Sequence, residues 1–305
     1  MTKATDVFAR PVIVGVGEDG HSRPAIERAL EFSRQFDTPL EFVHGVPEHE
    51  GAASTTPLAT RGAANAWRLT AASDRLTHLL DELSRHGEPP LSRALRVLPG
   101  RAARVIVERA KALDAGFILL GPHERRGLLD FGSTTRGVLA HAPCAVWIQP
   151  GPPKPLRRIV VPVDLSEDSR GAFEFGCDLA RRTGGWVRAL YCFVSPDFAY
   201  PDAEDVTMPT YVVDDERAHA RAEFEAFIRD HGCSETQVDM AFVDGDPASV
   251  VLDMQDDMDA VVMATHGRGG LSAAVLGSVT NTVLRQAHVP VIAVRHASRV
   301  LELPP

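Results

Sequence analysis

The chain has 305 residues, length for about two domains, and at 44% hydrophobic and 24% charged it is of ordinary globular composition. A formal net charge of −9 excludes a large nucleic-acid footprint, which needs clustered Lys and Arg, but leaves room for a local anion site built from backbone N–H groups. The four cysteines, Cys144, Cys177, Cys192 and Cys233, form no C-x-x-C pair and no disulfide framework. No apolar stretch of signal-peptide length precedes Arg10-Pro11, and no run approaches the ~18 residues that span a bilayer, so a cytoplasmic protein without a membrane segment is expected.

In chain order, the run after Arg10 predicts a strand that leads into GVGEDG, Gly15 to Gly20. G-x-G-x-x-G after a strand is the dinucleotide fingerprint, whose confirming acid should lie about 20 residues on, at the end of the second strand. Glu41 stands near that count but opens the strand, whose end carries His44-Gly45. A plain strand-to-helix turn is the better reading; an enzyme with its cofactor at GVGEDG is the alternative from another class. Further on, LLGPHERRGLLDFGST ends with Gly132-Ser133 entering a helix, and Ala145–Ile148 is the last strand of this part. QPGPPKPLRR, Gln149 to Arg158, reads as a proline-rich linker.

The sequence then repeats. RRIVVPVDLSEDSRGAFEF, from Arg157, parallels RPVIVGVGEDGHSRPAIER, from Arg10, with Ser169-Arg170 falling on Ser22-Arg23 at an offset of 147. LGSVTNTVLRQAHVPVIAV, from Leu276, parallels FGSTTRGVLAHAPCAVWI, from Phe131. A unit of about 145 residues is too long for a solenoid and right for a domain. The units are placed at 1–150 and 157–297.

In the second unit the pattern predicts strands at Ile159–Val163, Val187–Val194, Val238–Val243, Ala260–Ala264 and Val291–Val294. Between them it predicts a helix capped by Ser166 or Ser169, running to about Thr183 and stopped by Gly184-Gly185. A long loop, Ser195 to Thr210, precedes a helix from about Asp214 to His231. Two more follow, one opening near Pro247 and ending near Met258, the other at Leu276–Ala287. Apolar strands alternating with helices imply an α/β fold: two tandem, doubly wound, five-stranded parallel-sheet domains. Ligands bind such folds outside the carboxyl ends of the strands.

MATHGRGGLSAAVLGS, Met263 to Ser278, lies at such an end. No G-x-x-x-x-G-K-[ST] and no Ser-Gly-Gly-x-Asp-Ser occurs, which disfavours a P-loop motor and an adenylating enzyme. Gly277-Ser278 entering a helix can cradle phosphates through backbone N–H groups and the Ser278 and Thr280 hydroxyls, or can be a flexible turn with an ordinary cap. Asp164 ends the first strand beside it and can accept hydrogen bonds from adenine or ribose, or can simply shape the turn before Ser166.

VVPVDLSEDS, VDGDPASVVLDM and VVMATHGRGGLSAAVLGSVTNTVLRQAHVPVIAV closely resemble the universal stress protein family, across all of the second unit and more weakly the first. The resemblance implies a five-stranded parallel α/β sandwich, Rossmann-like and adenine nucleotide alpha hydrolase-like. It also implies ATP binding, with Mg2+ as an accompanying ion, through G-x-x-G, nine residues, then G-[ST]. Here the first glycine is Ala264, the second Gly267, and the last pair Gly277-Ser278. By the same resemblance Asp164 and the Cys192 backbone serve adenine, and Ala264, His266 and Gly267 serve ribose and phosphates. Ser278, Val279 and Thr280 complete the phosphate site, and Pro162, Val163 and Met263 flank it. Two domains of one fold are expected to pair through Ala145–Ile148 and Val291–Val294, with a homodimer as a further expectation carried by the resemblance.

The first unit is expected to be a degenerate half. Gly17 stands where the second unit has Asp164, Glu124 replaces the second motif glycine, and only seven residues separate Glu124 from Gly132. His44, His86, His123 and His266 lack metal-ligand spacing; Trp67, Trp147 and Trp186 read as packing; DMQDDMD, Asp253 to Asp259, reads as a solvated helix end. No water-activating base and no Ser-His-Asp or Cys-His arrangement is identifiable, so slow hydrolysis at most is expected. The expected function is an ATP-binding stress-response regulator, the alternative a scaffold that binds no nucleotide and works through a protein partner.

Overall fold

The computed structural model describes residues 6–48, 58–85, 88–122, 132–195, 210–233, 235–267 and 276–295. Its contacts divide into two units, one ending at Pro153 and the next beginning at Lys154. No helix among the described residues is long and apolar enough to cross a membrane.

The first unit contains β1 (Val12–Gly15), α1 (Arg23–Phe36), β2 (Leu40–Val46), α2 (Leu58–Glu82), β3 (Leu95–Pro99), α3 (Ala102–Ala112), β4 (Phe117–Leu120), α4 (Gly132–His141) and β5 (Ala145–Ile148). The strands pair in parallel in the order β3-β2-β1-β4-β5. Every residue of β4 is buried, as a strand covered on both faces by helices must be. Phe8, Phe32, Phe117 and Trp147 form an aromatic cluster, and Trp147 donates its indole N–H to Gln149 Oε1 at 3.1 Å. Trp147 therefore packs as the sequence suggests. Trp67 does not: it is 70% exposed on α2.

The second unit repeats the topology with β6 (Arg158–Pro162), α5 (Glu167–Thr183), β7 (Trp186–Phe193), α6 (Thr210–His231), β8 (Val238–Asp244), α7 (Pro247–Met254), β9 (Ala260–Ala264), α8 (Ser278–Gln286) and β10 (Val291–Val294). The parallel order is β8-β7-β6-β9-β10. Ser166 caps α5, accepting from Ser169 N at 3.2 Å, and Gly184 ends it at φ 65°, a left-handed cap that glycine adopts without strain. Glu167 and Asp168 in the first turn and Arg181 and Arg182 in the last complement the helix dipole. Gly176 lets α5 lie close to the sheet, for a Cβ there would come within 2.7 Å of Val161 Cγ2. The helices α7 and α6 differ from expectation at one end each. α7 stops at Met254 because three-residue turns (Asp257 N to Met254 O, Met258 N to Gln255 O) take over, and α6 begins a turn early, at Thr210. The expected loop from Ser195 lies largely in 196–209, outside the described residues.

Asp259, read from sequence as part of a solvated run, is a clamp. Its Oδ2 accepts the backbone N–H groups of Arg157 and Arg158 at 2.9 and 2.8 Å, and its Oδ1 accepts the Arg158 guanidinium at 2.9 Å. It fixes the start of β6 beside β9. Burial works against its charge, but the bonds from the Arg158 side chain and the two backbone N–H groups outweigh that and hold the carboxyl below the usual carboxylate range. A carboxyl lowered by folding stabilises the fold above its unfolded pKa, and that contribution disappears as the pH falls through the folded one. Asp259→Asn is expected to cost about 1–3 kcal/mol at pH 7 in urea unfolding. The deficit against the parent chain should shrink as the pH drops below about 4.

Candidate functional site

In the second unit the carboxyl ends of β6, β7 and β9 and the first turns of α5, α7 and α8 enclose a cavity of about 320 Å³. It opens where β6 is flanked by β7 on one side and β9 on the other, the point at which strand order reverses. Pro162, Val163, Asp164, Cys192, Met263, Ala264, His266, Gly267, Gly277, Ser278, Val279 and Thr280 all line it. Ser169, Leu190, Tyr191 and Pro247 also line it and are absent from the sequence-derived set. Pro247 had a signal in its position at the first turn of a helix, as had Ser169 in its match to Ser22. Leu190 and Tyr191 sit inside a strand, where nothing local marks the end that faces a ligand. The segment 268–275, most of the glycine-rich stretch, lies outside the described residues.

On the β6 side, Asp164 Oδ1 accepts from the Ser166 N–H at 3.1 Å and from the Ser166 hydroxyl. Between them Leu165 has φ 65°, uncommon without glycine, at a cost of roughly 1–2 kcal/mol that the Asp164–Ser166 bonds help to offset. The turn thus fixes the carboxylate and sends the chain into α5. Across the cavity, a Cβ on Gly267 would collide with Asp164 Oδ2. A side chain at 267 would therefore push the Asp164 carboxylate out of its place. The Cys192 thiol is pushed up to about 12 by burial, with the Asp246 charge adding to it. It stays protonated at neutral pH and is no nucleophile there.

On the β9 side, the start of α8 is bolted to the strand end. Gly277 N donates to Thr265 O at 2.9 Å, and the buried Thr280 hydroxyl donates to Ala264 O at 2.7 Å. The single Thr280 hydroxyl proton is thus committed to the fold. Thr265 and His266 are buried, with Oγ1 and Nδ1 2.9 Å apart. Gly277 is the cap residue of α8, at φ −58° and ψ 148°, and it offers no side-chain cap. A Cβ there would find Thr265 O at 3.3 Å and nothing nearer. That contact with backbone is tight and asks the carbonyl to give by a few tenths of an ångström, but the backbone angles themselves do not demand glycine, and Ser, Thr, Asp or Asn is the commoner cap.

At two corresponding points of the first unit, backbone segments approach each other closely. Gly45 stands where the second unit has Cys192, and a Cβ on it would lie 2.6 Å from Ala102 Cα and 2.8 Å from Ala102 N. Gly121 stands where the second unit has Ala264, and a Cβ there would lie 2.6 Å from His21 O and 2.8 Å from Ser22 Cα. Backbone touches backbone at both points. The GVGEDG loop bonds to itself, Gly17 N to Ser22 Oγ at 2.6 Å and His21 N to Asp19 Oδ1 at 3.1 Å, as a plain turn does. Glu124 lies outside the described residues.

Comparison with known proteins gives a consistent picture. A family model described as the universal stress protein family matches residues 9–150 and again 155–295. Universal stress protein Rv2623 of Mycobacterium tuberculosis is 27% identical over 306 residues, covering 94% of this chain and 96% of its own. Rv2005c of the same organism is 31% identical over 197 residues, 60% of this chain and 63% of its own length. The crystal structure of a universal stress protein from Archaeoglobus fulgidus aligns with a TM-score of 0.63 at 15% identity, over 94% of this chain and 98% of its own. That identity supports likeness of fold alone.

Thr280→Val keeps shape while removing the donor to Ala264 O. We expect it to lower stability by about 1–3 kcal/mol in chemical denaturation, because a buried carbonyl loses its partner.

Proposed function

The chain belongs to the universal stress protein family, and from that premise we propose that its second unit binds an adenine nucleotide, ATP foremost, and acts as a nucleotide-dependent stress regulator. The observation that carries this reading is the start of α8. It is a cavity-lining helix terminus whose cap residue is a glycine at backbone angles that do not require one. Uncapped N–H groups with the helix dipole behind them attract phosphate, and the missing Cβ lets phosphate approach the backbone. Asp164, held by Ser166 at the far side, is a fixed acceptor for the base or ribose. Val163, Leu190 and Met263 supply apolar wall between the two ends, as a ring system needs.

Mg2+ would ride on the phosphates. Among the described residues no group of three His, Cys, Asp or Glu side chains is placed to hold a metal. With Cys192 protonated and Asp164 engaged by Ser166, the residues named here bind and orient rather than attack. The first unit, with backbone close on backbone at Gly45 and Gly121, serves as a structural half in this reading. Mass spectrometry of ligand released from the purified protein tests it directly. An adenine nucleotide supports the proposal, and purification with no ligand and no ATP affinity favours the protein-partner scaffold instead.

Gly277→Asp should leave the fold intact, since aspartate is a favoured helix cap. The new carboxylate would occupy the helix start, and like charges about 4 Å apart near a protein surface repel by about 4 kcal/mol, so ATP affinity should fall at least 100-fold in calorimetry. Unchanged affinity with normal circular dichroism would remove the assigned site. Titration of the intact chain should give one ATP per chain; two would overturn the division of labour between the units.

A further inference from the structure

The first unit carries a second feature. One face of α2, through Trp67, Arg68, Ala71 and Arg75, meets the residues that follow β1 and β2 around a cavity of about 190 Å³. Glu18 and His44 form its floor. Arg75 Nε donates to Glu18 Oε2 at 2.6 Å, Glu18 Oε1 lies 3.6 Å from His44 Nε2, and His44 Nδ1 is 2.8 Å from Val16 O. Arg68 Nη1 donates to Pro47 O at 3.1 Å. Beside it stands Trp67, 70% exposed, with no ring stacked on it among the described residues.

This is not a feature of the shared fold. At the offset of the repeat, Glu18 becomes Leu165, His44 becomes Tyr191 and Val46 becomes Phe193. There the second unit packs rings, Tyr191 on Phe242 at 5.3 Å and on Phe224 at 5.7 Å, and Phe193 on Phe242 at 6.1 Å. The first unit holds a cleft with an uncovered indole where its twin stacks rings on one another and lays Arg217 and Arg221 over Phe242.

We propose that this cleft is a binding site for a small planar carboxylate, its ring on Trp67 and its acid group on Arg68. Among the residues lining the cleft, two guanidinium groups face one carboxylate. Glu18 is tied to Arg75, which leaves Arg68 as the cation for a ligand, with one of its five donors used. The planar guanidinium fork matches a carboxylate, and an indole face accepts a flat ring. The volume is below the ~300 Å³ at which pockets for larger ligands begin, so it suits one ring with its acid group.

The test uses benzoate on the full chain, followed by calorimetry and by tryptophan fluorescence. Trp67 is the exposed reporter, Trp147 being buried and Trp186 half-buried. Benzoate should bind saturably and quench, while uncharged benzamide and ring-less acetate bind at least about tenfold more weakly. Arg68→Gln and Trp67→Ala, both at the surface, should each weaken benzoate by about tenfold or more. Saturating ATP should leave benzoate affinity unchanged. Benzoate that fails to saturate, or that binds both variants as well as the parent chain, or that ATP displaces, would overturn the proposal.

Discussion

The hydroxyl of Thr280, buried and bonded to the carbonyl of Ala264, decides where the cavity of the second unit has its wall. In a parallel sheet each strand ends in a carbonyl that the next strand does not satisfy, and a buried one needs a partner. At the end of β9 that partner comes from the first turn of α8, sixteen residues later in sequence. The bond holds the helix start at the strand end, and with it the run of backbone N–H groups that faces the cavity. Gly277, donating to Thr265, sets the angle. Asp164, on the opposite wall, is held by a turn of equal rigidity. The distance across the cavity is thus set by strand and turn geometry rather than by loops.

The two units share a topology and differ in what fills it. In the second, apolar side chains back a cavity and glycine at 267 leaves room for a carboxylate. In the first, glycines at 45 and 121 bring backbone segments into contact. The same residue type therefore makes room for a side chain in one unit and for main chain in the other. Only the identity of the nearest atom tells which.

Much of this was legible in the sequence, and the reasons are particular. β9 and β10 have the bounds that their apolar runs predict, because buried parallel strands carry an unbroken signal. The start and stop of α5 could be read from Ser166 and Gly184, since caps have their own chemistry. Of the set lining the cavity, Asp164, Gly277, Ser278 and Thr280 could be read from a strand end and a helix start, and the rest came from the resemblance to the family. Leu190 and Tyr191 escaped because strand periodicity does not mark which end faces the ligand. The role of Asp259 was hidden by its neighbours: Asp253, Asp256 and Asp257 are exposed, and nothing local separates the one that turns back to β6. The exposure of Trp67 was invisible for the converse reason, since burial of one tryptophan depends on residues far away in the chain. The close approach of backbone at Gly45 is a tertiary contact with Ala102 and has no sequence signal at all.

That contact bears on how such a chain can change over time. A lost side chain can be restored by one base change, and a lost charge likewise. Main chain lying on main chain is different, for any side chain added at Gly45 or Gly121 would press on Ala102 or on His21 and Ser22. A larger residue requires α3 to shift at the first point and the 17–22 loop at the second. A contact of main chain on main chain thus resists single substitution in a way that a contact between side chains does not.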